Sequence, residues 1–104
     1  MKIMDFRSDT VTKPSEEMRR VMAYAEVGDD IYGDDPSSND LSKYAAEITG
    51  KEAAIYTCSG TMGNLLAFLS AGRHGESLLA GKRSHVWNAE VGGFSAVAGL
   101  CPYP

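Results

Sequence analysis

Tyr56-Thr57-Cys58-Ser59-Gly60-Thr61-Met62-Gly63-Asn64 decides how this chain is read. Ala53-Ala54-Ile55-Tyr56 is an apolar run of strand length, and Leu65, Leu66, Phe68 and Leu69 then form the apolar face of a helix that stops near Gly72. The stretch therefore reads as strand, tight Ser-Gly-Thr turn and helix start. A helix start leaves backbone N–H groups without partners, and the aligned peptide dipoles add partial positive charge there. The backbone around Gly60 is thus a candidate phosphate site. The turn fits neither G-x-G-x-x-G nor G-x-x-x-x-G-K-[ST], so dinucleotide and P-loop readings have no support. An ordinary strand-to-helix turn that binds nothing is the competing local reading.

Working outward, Pro14-Ser15-Glu16-Glu17 starts a helix, with Ser15 as cap and two glutamates at the positive end. Met18, Val21, Met22 and Ala25 follow at i, i+3, i+4 and i+7, which predicts one buried face. A strand-like patch precedes it near Thr10-Val11-Thr12. Ser38-Asn39 can cap a second helix whose face is Leu41, Tyr44, Ala45 and Ile48, and Gly50 sits where a left-handed residue ends it. Ser77-Leu78-Leu79-Ala80 is a second short strand. Val86 to Val91 can form a helical turn broken by Gly92-Gly93, Phe94 to Cys101 is apolar without clear period, and Pro102-Tyr103-Pro104 is extended. The order helix, helix, strand, helix, strand predicts the beginning of an α/β domain, its two strands joined in parallel by a right-handed crossover. A parallel sheet needs both faces covered, so two strands and three helices read as an incomplete part of that architecture.

The 104 residues allow one domain at most, and 43% hydrophobic with 23% charged residues suits a soluble globular protein. A net charge of −4 argues against nucleic acid or an anionic membrane as partner. No apolar run approaches the ~18 residues of a membrane span. Met1-Lys2-Ile3-Met4-Asp5-Phe6-Arg7 carries charges where a signal peptide needs an apolar core, which points to the cytoplasm. Cys58 and Cys101 form no C-x-x-C pair and read as free buried thiols. His74 and His85 are too few and badly placed for a metal site. The acidic loop Gly28-Asp29-Asp30-Ile31-Tyr32-Gly33-Asp34-Asp35-Pro36 departs from the EF-hand pattern, and its aspartates read as caps and turns. His85 follows a turn after the second strand, at the sheet edge where open α/β folds place ligands. His74 reads as solvent-facing, and Ser8 has no G-x-S-x-G elbow around it.

Five blocks, in order and in register, resemble the amino-terminal third of the low-specificity L-threonine aldolases, fold type I enzymes that use pyridoxal 5′-phosphate. They are Asp5-Phe6-Arg7-Ser8-Asp9-Thr10-Val11-Thr12, Glu26 to Pro36, Gly50-Lys51-Glu52-Ala53-Ala54, Ser59 to Asn64, and Ser84-His85 with Glu90-Val91-Gly92-Gly93. The resemblance implies a three-layer α/β/α domain, incomplete in this chain. Residues 1–50 would be an amino-terminal helical segment, and 51–104 the start of the large cofactor-binding domain. It implies that Gly60 and Thr61, with Met62 beside them, hold the cofactor phosphate, and that His85 stacks on the cofactor ring and helps move the β-hydroxyl proton. Ser8 would lie near the substrate carboxylate, Tyr32 at the active site, and Glu90 would serve a water-mediated proton role. The implied reaction is retro-aldol cleavage of threonine or allo-threonine to glycine and acetaldehyde, in a homotetramer built as a dimer of dimers.

Ala89 stands where many members carry a bulky aromatic side chain, and Thr57-Cys58 replaces a common proline-containing pair. None of Lys2, Lys13, Lys43, Lys51 and Lys82 lies in the motif of the family's Schiff-base lysine. The expectation is therefore a truncated or partial chain that does not turn over alone. Two rivals stand beside it. One is another fold type I lyase, such as a β-eliminating lyase or a cysteine desulfurase. The other is a non-catalytic domain that associates with a partner chain.

Overall fold

The computed structural model describes residues 3–104. Two compact units divide the chain, the first ending at Ala54 and the second running Ile55–Pro104.

The first unit contains two helices. Ser15 accepts the N–H of Met18 and starts α1, Glu16–Tyr24, as its sequence predicts. The face of Met18, Val21 and Met22 is not buried, each remaining about 60% exposed. Helical spacing reveals a face that can be covered but not what covers it. α2, Pro36–Thr49, begins earlier than Ser38-Asn39 suggests. Asp35 is its cap, accepting the N–H of Ser38 at 2.8 Å, and Pro36 occupies the first turn, where no N–H is needed. Gly50 ends the helix at φ 63°, its N–H and that of Lys51 returning to the last carbonyls. Short 3-10 helices occupy Asp9–Val11 and Asp30–Tyr32, so the strand expected near Thr10 is not formed. Ser8 Oγ draws that segment into a turn by accepting the N–H of Thr10.

The acidic loop before α2 is closed by its own backbone. Gly28 N–H donates to Asp35 Oδ2, Asp34 N–H to Asp29 O, and Asn39 Nδ2 to Gly33 O. A methyl group on Gly28 would fall 2.2 Å from the Asp34 carbonyl oxygen, so only glycine fits. Cap and turn duty, as expected of these aspartates, accounts for the bonds they make.

The second unit holds α3, Gly60–Ala71, then β1, Ser77–Leu79, α4, His85–Asn88, α5, Gly93–Ala96, and β2, Cys101–Tyr103. The parallel pair is β1 with β2, Ser77 opposite Cys101 and Leu79 opposite Tyr103. Ala53-Ala54-Ile55-Tyr56 is not a strand, which corrects the expected sheet order. An apolar tetrapeptide becomes a strand only through a ladder partner, and among the described residues β1 pairs with the chain after Leu100 instead. The crossover is thus the α4–α5 segment rather than α3. Phe94, Ala98 and Leu100 form the buried core, and Trp87 stacks on Phe94 with centroids 6.0 Å apart. Cys58 and Cys101 are free as expected but exposed rather than buried. β2 places Cys101 without cover, and Cys58 lies just outside the α3 cap.

Candidate functional site

α3 begins with Ser59 as cap, its hydroxyl accepting the N–H of Met62 at 3.1 Å. The carbonyl of Ser59 accepts from Gly63, which closes the first turn. Among the described residues, the N–H groups of Gly60 and Thr61 find no protein acceptor. A Cβ placed on Gly60 would meet nothing within 4 Å, so the approach to these two donors is open. Both residues are exposed. Of the three candidates here, Gly60 and Thr61 can therefore donate to a phosphate, whereas the Met62 N–H is already used by Ser59.

His85 opens α4, which starts right after the Gly81-to-Ser84 turn; Ser84 N–H donates to Gly81 O. Its Nδ1 lies 2.7 Å from Glu90 Oε1. Glu90 is the one buried charged residue described, at 7% exposure, while the imidazole itself stands largely in solvent. The same Oε1 accepts Asn64 Nδ2 at 2.7 Å. The His85 hydrogen bond holds the Glu90 carboxyl below its usual range, outweighing the upward push of burial, with the Asn64 bond adding to it. An ionised carboxylate can only accept, so Nδ1 must carry the proton in this contact. In the neutral ring Nε2 is then a free acceptor facing outward.

The backbone after Glu90 is unusual. Val91 lies at φ 55° and Gly92 at φ 68°. A β-branched residue in the left-handed region is strained, by about 1–3 kcal/mol. The two residues reverse the chain so that Glu90 is buried while Val91 is 98% exposed and α5 can start at Gly93. Thr61, Leu65, Glu90, Phe94 and Val97 line a cavity of about 280 Å³ between α3 and α5. Thr61 at the helix start and Glu90 thus border one space.

Within the second unit Glu90 contacts His85 and Asn64 and lines one cavity with Thr61, while Gly60 and Met62 share the first turn of α3 with Thr61. Ser8 and Tyr32 belong to the first unit. The Ser8 hydroxyl donates to Asp9 Oδ1 and accepts from Thr10, and Tyr32 is 79% exposed at the end of its 3-10 helix. Glu90 contacts His85 directly. Asn64 closes the Ser59-to-Asn64 block, where the resemblance implies no task for it. The available signal was an amide placed next to Leu65 and Leu66 on an apolar helix.

The beta-eliminating lyase family model matches residues 5–104. The chain is 48% identical over 102 residues to the low specificity L-threonine aldolase of Escherichia coli, covering 98% of this chain and 31% of that protein. It is 48% identical over 103 residues to the probable low-specificity L-threonine aldolase 2 of Arabidopsis thaliana, covering 98% and 29%. An uncharacterized protein of Caenorhabditis elegans is 50% identical over 97 residues, 93% of this chain and 24% of its own length. The chain therefore spans between 24% and 31% of the length of these relatives.

Proposed function

The chain belongs to the beta-eliminating lyase family, and on that premise we propose that it forms the phosphate-holding and imidazole-bearing part of an enzyme cleaving L-threonine or L-allo-threonine to glycine and acetaldehyde. One observation carries the reading. α3 presents two unpaired amides at its start and, at Asn64, a tie to the Glu90–His85 pair, so phosphate donors and imidazole are joined through a single helix. Asn64 lies four positions after Gly60, about 6 Å along a helix axis. Names of the relatives supply the substrate class.

Pyridoxal phosphate fits these residues. A dianionic phosphate finds two open N–H groups and the positive end of a 12-residue helix. When bound, the cofactor supplies the electron sink for the pair released from the Cα–Cβ bond. The chain's own contribution is positioning and proton handling. Gly60 and Thr61 fix the phosphate end. His85 would cover the ring, and its Nε2, free because Nδ1 is held by Glu90, would take the proton of the substrate β-hydroxyl. Glu90 would stabilise the imidazolium so formed. The family resemblance assigns Ser8 to the substrate carboxylate and Tyr32 to the active site of the whole protein.

The wider reading follows from the same resemblance. The α/β unit with its short parallel sheet is part of a fold type I domain of three layers, with residues 1–50 as its helical lead and 51–104 as the start of the cofactor-binding part. The whole protein works as a cytoplasmic homotetramer. No helix among the described residues is long and apolar enough to cross a membrane. None of Lys2, Lys13, Lys43, Lys51 and Lys82 lies in the motif of the cofactor-bearing lysine, so these 104 residues alone are expected not to turn over.

Joining this chain to the remaining length of the Escherichia coli relative tests the assignment. The joined protein is expected to release acetaldehyde from threonine. His85→Gln in it should lower kcat by roughly 100-fold or more, the usual worth of a positioned acid–base group. Release of pyruvate and ammonia from serine or cysteine in preference to acetaldehyde would assign a different lyase reaction. For the 104-residue chain alone, borohydride should fix no stoichiometric cofactor on any single lysine.

A further inference from the structure

We propose that Asn64 is a positioning residue that holds Glu90 in place and thereby keeps the His85 proton on Nδ1. Its relevance to catalysis rests on the function proposed above; the inference itself concerns only this chain's side chains.

Three observations carry it. Asn64 and His85 converge on the same oxygen, Glu90 Oε1, each at 2.7 Å, from positions 26 and 5 residues away in sequence. Glu90 is buried, so it cannot replace a lost donor with bulk water. The amide is half-buried, and its orientation is forced, because turning its oxygen toward the carboxylate would set two acceptors face to face. Two donors on one carboxylate oxygen fix its plane and keep it ionised, which leaves the imidazole only one way to complete the contact. With Asn64 removed, a single donor remains, and the carboxyl can rotate away from Nδ1. Without an acceptor at Nδ1 nothing holds the proton there, and the neutral ring shifts toward its Nε2–H form. The free acceptor that faces outward would then be lost. Val91 supports the same arrangement from the other side, since its left-handed backbone keeps Glu90 turned inward.

The test needs no cofactor. The chain contains only two histidines, His74 and His85, so long-range proton–nitrogen spectra of the 15N-histidine-labelled 104-residue chain resolve each ring, and His74→Gln identifies them. In the wild-type chain above the imidazole titration, His85 is expected to carry its proton on Nδ1. Asn64→Leu should move the tautomer ratio about tenfold toward Nε2–H, the scale of one charge-assisted hydrogen bond. Asn64→Gln, which retains an amide, should restore part of the wild-type ratio. Backbone amide spectra check that each variant keeps the fold, and Asn64→Ser replaces the leucine variant if that one unfolds. An unchanged His85 signature in a folded Asn64→Leu or Asn64→Ser chain overturns the proposal, as does a wild-type proton on Nε2. Because no substrate or cofactor enters this measurement, failure of the aldolase assay and failure of this inference are read separately.

Discussion

His85 owes its chemistry to a neighbour five residues on. A histidine after a turn is common, and its sequence position alone does not distinguish a surface ring from a poised base. What distinguishes it here is a buried carboxylate at 2.7 Å, itself held by Asn64. The stability consequence has a definite sign. Glu90 is depressed in the folded chain from an ordinary 4.5, first by the His85 bond, so it stabilises the second unit above that value. The contribution is lost as pH falls below about 4.5 and through the lower folded value. Thermal melts should therefore show Glu90→Gln and wild type converging in acid and diverging toward neutrality. Val91 makes a second residue-scale prediction. Replacing it with Asn, which tolerates positive φ, should raise stability by about 1 kcal/mol, read in chemical denaturation. The side chain is almost wholly exposed, so little packing is lost. The family blocks nominate His85, Glu90, Gly60 and Thr61 from the sequence. The link from Asn64 to Glu90 is not legible there, because a contact across 26 residues leaves no local pattern.

Among the elements, helices were more legible than strands. Ser15, Ser59 and Gly50 act at the helix ends where their side chains or backbone freedom suggest, because capping is a matter of neighbouring residues. Pairing is not local. Ala53 to Tyr56 has strand composition, yet the ladder forms between Ser77–Leu79 and Cys101–Tyr103, the latter containing Pro102. Proline fits there because the short β2 has a free edge where no N–H is required. Two helix predictions follow. Gly72 ends α3 with no room for a methyl group, which would lie 2.8 Å from Leu100 Cδ2 and 3.0 Å from the Phe68 carbonyl. Leu100 is core, so Gly72→Ala should cost about 1–3 kcal/mol in an unfolding titration. Ser59→Ala removes a cap and should cost about 1 kcal/mol. It also frees the Met62 N–H, so inorganic phosphate, followed by 31P resonance, should bind no more weakly than to the wild type.

At the scale of the whole molecule, apolar content exceeds what the chain buries. Phe94, Ala98 and Leu100 are the buried apolar residues described, whereas Phe6, Tyr24, Ile31 and Val27 are 76–91% exposed. Periodicity overstates what is covered, since burial depends on neighbours that a sequence pattern does not name. Exposed apolar surface on this scale favours association. Sedimentation of the purified 104-residue chain should give a mass that rises above the monomer with concentration, and falls back in mild denaturant before helicity is lost. α3 carries one more implication. On the proposed function, coenzyme grip and acid–base readiness would be mechanically geared to each other, since both would hang on a single rod. An anion seated at one end would then register at the imidazole through Asn64 and Glu90, making the ring a built-in reporter of whether the anchor is in place.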